Sequence, residues 1–275
     1  MKRSVLSQVV LYSVLVVTAV VVLFPLYQAI ITSLASEADV SNYPPKILPT
    51  GFRFQNFLDA AQTAPIPRYL LNSIIQASIV TLSHLILASL AAYAFAFIEF
   101  RFKQFFFLVF LSTMMIPWEA TIIPNYMTIV NDLRLKDNFI GLTLPYLATA
   151  FGTFMLRQFF MSIPRDLYDA AVIDGCGRIR FLLTIAVPLA RPALGTLAVF
   201  SFLQTYNQYL WPLLVTNDKN MRTVQIGLAL LQDQERFLWN IVMAGVVMIL
   251  LPTFILFIVG NRQLIRGLTA GAVKG

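Results

Sequence analysis

The chain has 275 residues, 58% of them hydrophobic and 12% charged, with a formal net charge of +7 and a mean hydropathy of +0.75. A water-soluble core of this composition would lack the polar surface to cover it, so the solvent for most of the chain is lipid. The single cysteine, Cys176, excludes a disulfide framework and a thiolate metal site, and basic residues scattered around apolar segments, without a block or stripe, exclude nucleic acid as a partner.

A membrane helix needs roughly 20 mainly apolar residues. Six stretches approach that length, at residues 5–34, 69–98, 105–126, 139–161, 192–215 and 238–260. The third is the weakest, because Pro117, Glu119 and Pro124 interrupt its outer end. A broken helix is tolerable there only where protein or a water-filled cavity satisfies the freed backbone. Along the second stretch Ala88, Ala92 and Ala96, flanked by Ser89 and Ala91, offer close approach to internal packing or to a subunit interface.

With both termini cytoplasmic, the inner segments hold Lys2, Arg3, Arg101, Lys103, Arg157, Arg165, Arg178, Arg180, Arg191, Arg262, Arg266 and Lys274, against Glu99, Asp166, Asp169 and Asp174. The outer loops balance eight bases with eight acids, and the excess of Lys and Arg inside orients the chain. Lys2 and Arg3 before a Val-rich run, with Ser33-Leu34-Ala35 behind it, suggest a cleaved signal. The apolar run is about twice the usual length for one, so a retained first crossing is expected. No low-complexity linker or internal repeat divides the chain, and one membrane domain over residues 1–275 is the expectation.

Between the fourth and fifth crossings lies a polar cytoplasmic loop, residues 162–191. Pro164 suits a first helical turn, Asp166 and Asp169 complement the positive end of the helix dipole, and Gly175 can take the left-handed terminating conformation. A helix of about ten residues is predicted, too short to persist in water unless it docks. Leu167, Ala170 and Ala171 fall on one face, where the two alanines permit close approach to a partner.

Asp169-Ala170-Ala171, Gly175, Ile185 and Val187-Pro188 resemble, with spacing intact, the cytoplasmic-loop motif of the permeases of ATP-driven importers, read as Glu-Ala-Ala, three residues, Gly, nine residues, Ile, any residue, Leu-Pro. Asp169 for glutamate and Val187 for leucine are the departures. The likeness extends to Phe24-Pro25, Asn72-Ser73, Ala91-Ala92-Tyr93-Ala94, Ile116-Pro117, Arg157-Gln158-Phe159-Phe160, the run Asn207-Gln208-Tyr209-Leu210-Trp211-Pro212, and the tail at residues 267–275. It is greatest for carbohydrate-uptake permeases, specifically the second permease of maltose-type and glycerol-3-phosphate-type importers.

The resemblance implies an all-α integral membrane protein with six transmembrane helices and the type I importer permease fold, multi-pass in the bacterial plasma (inner) membrane. It implies a second permease, two ATPase subunits that bind ATP and Mg, an extracytoplasmic solute-binding protein, and no cofactor in this chain. On that resemblance Asp166, Leu167, Asp169, Ala170, Ala171, Asp174, Gly175 and Pro188 couple to the ATPase. Leu268, Thr269, Ala270, Gly271 and Lys274 belong to a cytoplasmic tail, residues 261–275, that reaches the ATPase pair; its last nine residues are too rich in small side chains for a stable helix. Asn217, Asp218, Lys219 and Asn220 form an outer tip that either enters the binding protein or simply connects.

No phosphate-binding Gly-x-x-x-x-Gly-Lys-Ser/Thr loop occurs, so ATP is hydrolysed elsewhere, and no enzymatic constellation is visible. His84, the only histidine, reads as a hydrogen-bonded structural residue. The rival class is an ion-gradient-driven secondary transporter, which needs titratable groups near the bilayer midplane. Glu119 is the sole acid in a crossing, and reads either as a path-lining group or as an interfacial cap. Gln204, Asn207 and Gln208 face protein or water in the fifth crossing, and Tyr209 offers a flat face to a sugar or belongs to an interfacial belt.

Overall fold

The computed structural model describes residues 5–42, 48, 50–232 and 238–269. In chain order the helices are α1 (Val5–Leu34), α2 (Glu37–Ser41), α3 (Gln55–Thr63), α4 (Ile66–Phe97), α5 (Lys103–Ser112), α6 (Trp118–Tyr126), α7 (Phe139–Thr143), α8 (Ala150–Met161), α9 (Arg165–Ile173), α10 (Arg178–Phe181), α11 (Val187–Leu189), α12 (Arg191–Tyr206), α13 (Leu210–Val215), α14 (Val224–Gln232) and α15 (Trp239–Thr269). Among the described residues there is no strand. That is the expected all-α class, since a helix satisfies its backbone within its own segment.

Among the described residues three helices are long and apolar enough to cross a bilayer: Leu6–Leu34, Ile66–Phe97 and Trp239–Asn261. Three bent pairs bring the number up to six where each pair is one span: Lys103–Met115 with Trp118–Asp132 at 90°, Phe139–Tyr146 with Ala150–Met161 at 51°, and Arg178–Leu189 with Arg191–Tyr206 at 81°. The break in the third crossing falls at Pro117, the extended N-cap of α6, whereas Pro124, also expected to interrupt this stretch, sits inside α6.

The fifth stretch differs from its expected form. A continuous helix over 192–215 does not occur; α12 ends at Tyr206 and α13 starts at Leu210. Pro212 has no N–H to give the carbonyl four residues back and its ring crowds that carbonyl, so the chain breaks just before it. The Asn207 amide turns back instead to the Leu203 carbonyl at 2.9 Å. At the other end of the chain α15 continues through residues 267–269, so Leu268 and Thr269 are helical where no stable helix was expected. Ala270, Gly271 and Lys274 lie outside the described residues.

The chain divides into two compact units, one of residues 1–67 and 227–251, the other of residues 68–226 and 252–275. In the first, the buried Asn56 amide donates to the carbonyls of Ser33 and Ala35 (2.8 and 2.9 Å) and accepts from Asn240 (3.2 Å). Asp39 accepts from the hydroxyls of Ser36 (2.8 Å) and Thr50 (2.5 Å). The Asn56 bonds tie α3 to the end of α1.

In the second unit the core gathers Ala88, Ala92, Leu156, Phe160, Phe181 and Leu197. The small residues of α4 therefore serve packing within this chain. A Cβ on Gly141 would collide with the Leu135 carbonyl oxygen, so only glycine lets these segments meet.

Candidate functional site

A cavity of about 880 Å³ opens in the second unit. Its wall is the Thr113–Met115 turn, the start of α6, the joint between Tyr146 and Phe151, the middle of α12, and residues 208–211. The breaks at Pro117, between Tyr146 and Ala150, and between Tyr206 and Leu210 all fall on this wall. Non-helical backbone at membrane depth is tolerated where it lines a cavity or is bonded by protein, and the joint before α8 shows the second condition. His84 on α4 bonds the Tyr146 carbonyl through Nε2 (2.6 Å) and the Ser201 hydroxyl through Nδ1 (2.8 Å), while the Ser83 hydroxyl donates to the Leu147 carbonyl (2.7 Å). The histidine is the structural residue expected, and it positions two walls of the cavity.

Glu119, Gln204, Gln208 and Tyr209 are brought together on the cavity wall. Asn207 is not among its lining residues; its carbonyl oxygen accepts from Gln225 (3.1 Å) and its amide is spent on Leu203. Gln208 accepts from the Gln76 amide at 3.0 Å. Sequence reasoning missed Thr113, Thr121 and Thr149, isolated hydroxyls whose common orientation depends on the bends. It also missed Trp118 and Tyr146, which form an aromatic panel with Trp211, ring centres 4.9–6.2 Å apart in tilted and edge-on pairs. Trp211 is the fully buried member of this panel and donates to the Gly141 carbonyl at 3.3 Å. Among the described residues no Lys, Arg or His lines the cavity, and Glu119 is its only carboxylate.

The predicted loop helix is α9, and its end is built as its sequence requires. Gly175 sits at φ +74°. The Cys176 N–H bonds the Ala171 carbonyl (2.8 Å) and the Gly175 N–H bonds the Val172 carbonyl (3.0 Å), which is the paired-bond stop of a Schellman motif. One expectation is corrected here: Ala171 does not lie on the open face but is buried in the chain's own core. It sits on the inward face one turn from Tyr168, whose ring stacks on Phe97 (5.2 Å) and meets Phe181 edge-on (5.0 Å). Ile185, Val187 and the half-buried Pro188, the rest of the motif, also sit on the inner side. The open face carries Asp166, Asp169 and Ala170, with Leu167 at its edge, and ends in Ile173, which is 85% exposed. Asp174 is exposed at the C-cap.

At the far end of α4, about 45 Å away for a helix of 32 residues, the 217–220 tip is held fast. A single Asp137 oxygen accepts the backbone N–H groups of Asn217 (2.6 Å) and Asp218 (2.7 Å). Asp218 caps the Lys219–Met221 turn by accepting from the Asn220 N–H (2.9 Å), and the Asn220 carbonyl receives Arg68 (3.1 Å) and Asn72 (2.7 Å). Asp137 takes a positive φ of 51° to do this. Its contribution was invisible in the sequence, since 80 residues separate it from its partner.

Bent membrane helices around an aromatic and polar cavity, with a short anchored helix at one end and a pinned loop at the other, define a transport subunit. The chain belongs to the family of binding-protein-dependent transport system inner membrane components, which matches residues 84–264. It is 35% identical over 272 residues to the sn-glycerol-3-phosphate transport system permease protein of Agrobacterium fabrum, covering 96% of each chain. It is 34% identical to the proteins of the same description from Brucella abortus (95% of this chain, 96% of the relative) and Yersinia pestis (92% and 93%). A chain of a bacterial ABC transporter involved in the import of the acidic polysaccharide alginate has the same fold, with a TM-score of 0.82 at 23% identity, covering 95% of this chain and 99% of that one. This chain is thus a multi-pass inner-membrane permease subunit and not an enzyme, and nothing favours the ion-gradient alternative.

Proposed function

We propose that this permease forms half of the path for a sugar-like solute. It works with a second permease, two ATPase subunits that bind ATP and Mg, and an extracytoplasmic binding protein that engages the 217–220 tip. Closure of the ATPase pair presses on α9, which passes the displacement through Tyr168 and Ala171 into the bundle, and the cavity changes its open side. The observation that carries this reading is α9 itself: an exposed Ile173 on a short helix whose opposite face is locked into the core. The named solute of the relatives, sn-glycerol-3-phosphate, and the maltose-type resemblance both fit a small polyhydroxylated cargo.

The cavity wall favours the uncharged end of that range. Flat rings, amides and hydroxyls suit a sugar, whereas a phosphate would meet Glu119 and would have to find its cation on the second permease. Unit charges roughly 6 Å apart interact by about 3 kcal/mol at an effective dielectric of about 20, and an open cavity screens part of this. Glu119→Lys is therefore expected to change ATP-driven uptake of the importer's solute by less than about threefold. A rise of tenfold or more identifies an anionic cargo.

Orientation follows from the charge asymmetry and is tested by labelling in a Cys176→Ser background. Asn217→Cys is expected to react with an impermeant maleimide from outside, and Asp174→Cys only after the membrane is opened. The reverse pattern overturns the assignment of both ends.

A further inference from the structure

The family-resembling run that begins at Arg157 takes no part in the cavity or in α9, and its arginine lies within a membrane span, where an uncompensated charge is costly. Its guanidinium stacks over the Phe107 ring at 4.0 Å from the centre, and its Nε–H donates to the Phe95 carbonyl at 3.2 Å. These two contacts fix the plane of the fork and use one of five N–H groups. Among the described residues nothing bonds its two terminal amino groups.

Arg157 lines a second pocket, of about 290 Å³, between the end of α4, the start of α5 and the end of α8. Lys103 and Arg165 share it, with Glu99 as the one acid among its described lining residues. Lys103 is held only at 3.4 Å by both Glu99 and the Ala96 carbonyl, and the Glu99 side chain is 77% exposed. Such a pair holds the ammonium weakly. Three cations from three elements thus converge with a surplus of positive charge. Lys103 begins a span-forming helix and Arg157 lies four residues from the end of another, which sets the pocket at the depth of lipid headgroups. Beside it Phe102, Phe105 and Phe106 stand half or more exposed, an apolar ramp of the kind an acyl chain covers.

We propose that this pocket binds the phosphate of one anionic membrane lipid. The two non-bridging oxygens of a phosphate diester match the free Arg157 fork bidentately, and its charge also attracts the Lys103 ammonium, while the pocket is too small for a protein segment. The bound lipid would brace the joint between the bundle and α9, since Arg165 begins that helix.

The test is native mass spectrometry of the complete importer released from nanodiscs of phosphatidylglycerol or phosphatidylcholine. The expected result is one phosphatidylglycerol retained per copy of this chain, no phosphatidylcholine, and retention reduced roughly fivefold by Lys103→Gln and further by Arg157→Gln. Lys103→Gln leaves the Arg157 contacts intact, so it remains informative if Arg157→Gln fails to fold, which the melting temperature reports. Equal retention by wild type and Lys103→Gln, or equal retention of the two lipids, overturns the proposal. Displacement of the lipid by millimolar inorganic phosphate assigns the pocket to a free anion and overturns it as well.

Discussion

Ile173→Asp is expected to reduce solute-stimulated ATP hydrolysis and transport by about thirtyfold or more, with membrane insertion and melting temperature unchanged. The residue ends the open face of α9 and is 85% exposed, so its loss opens no cavity in this chain's core. An isoleucine that projects so far is costly in water and profitable only in a partner's groove. The comparison variant is Ala171→Glu, which acts by a different route. Ala171 is buried among Tyr93, Phe160 and Phe181 in one cluster, and a carboxylate there is desolvated without a partner. It is expected to lower the melting temperature and expression, a defect of this chain and not of docking. Gly175→Val isolates the third ingredient: a Cβ at Gly175 meets nothing within 4 Å, so its cost is only the left-handed backbone, about 1–2 kcal/mol. Subunit retention and hydrolysis measured on the purified complex separate the three. Full stimulated hydrolysis in the Ile173→Asp importer would remove α9 from the coupling role.

What the sequence disclosed and what it hid divide along a physical line. The α9 start, its length within a residue or so and its Gly175 stop were legible because caps, dipole complements and left-handed glycines are local. The inward turn of Ala171 was not, because a nine-residue helix offers every face to a docking argument and only the ring of Tyr168 on Phe97 decides which one the chain keeps. Three long spans were legible from length and hydropathy. The broken ones were legible as sites of trouble at Pro117, and less so at residues 207–209, where Pro212 acts four residues upstream of itself. The cavity was half legible. Gln204 and Gln208 announced themselves as polar groups in an apolar run, while Thr113, Thr121 and Thr149 are too short and common to do so.

The bends also explain the place of His84, which is not among the residues lining the cavity. Breaking the fourth crossing frees the carbonyls of Tyr146 and Leu147, and the unbroken α4 returns a bond to each through His84 and Ser83. A straight helix therefore acts as the rigid post on which a bent one is hung. That division of labour fits a bundle that must hold open a polar cavity at membrane depth without leaving backbone groups unpaired.

At the opposite end of α4, Asp137→Ala is expected to weaken stimulation by the binding protein about tenfold while leaving basal ATP hydrolysis within about twofold. The carboxylate takes two backbone N–H groups on one oxygen at 2.6 and 2.7 Å, short charge-assisted bonds of the stronger kind. Both N–H groups are exposed, so water replaces the lost partner and the fold survives; what is lost is the fixed shape of the 217–220 tip. A loop that must be re-ordered on binding charges that entropy to the complex, whereas hydrolysis without the binding protein never uses it. Arg68 and Asn72 still hold Asn220 from the other side, which confines the change to the tip. Asp137→Asn keeps an acceptor oxygen without the charge, and recovery of most of the stimulation in that variant assigns the effect to the two bonds themselves. The measurement is ATPase activity of the reconstituted importer titrated with liganded binding protein. Equal loss of basal and stimulated activity in Asp137→Ala would place the defect in the bundle and leave the tip a plain connector.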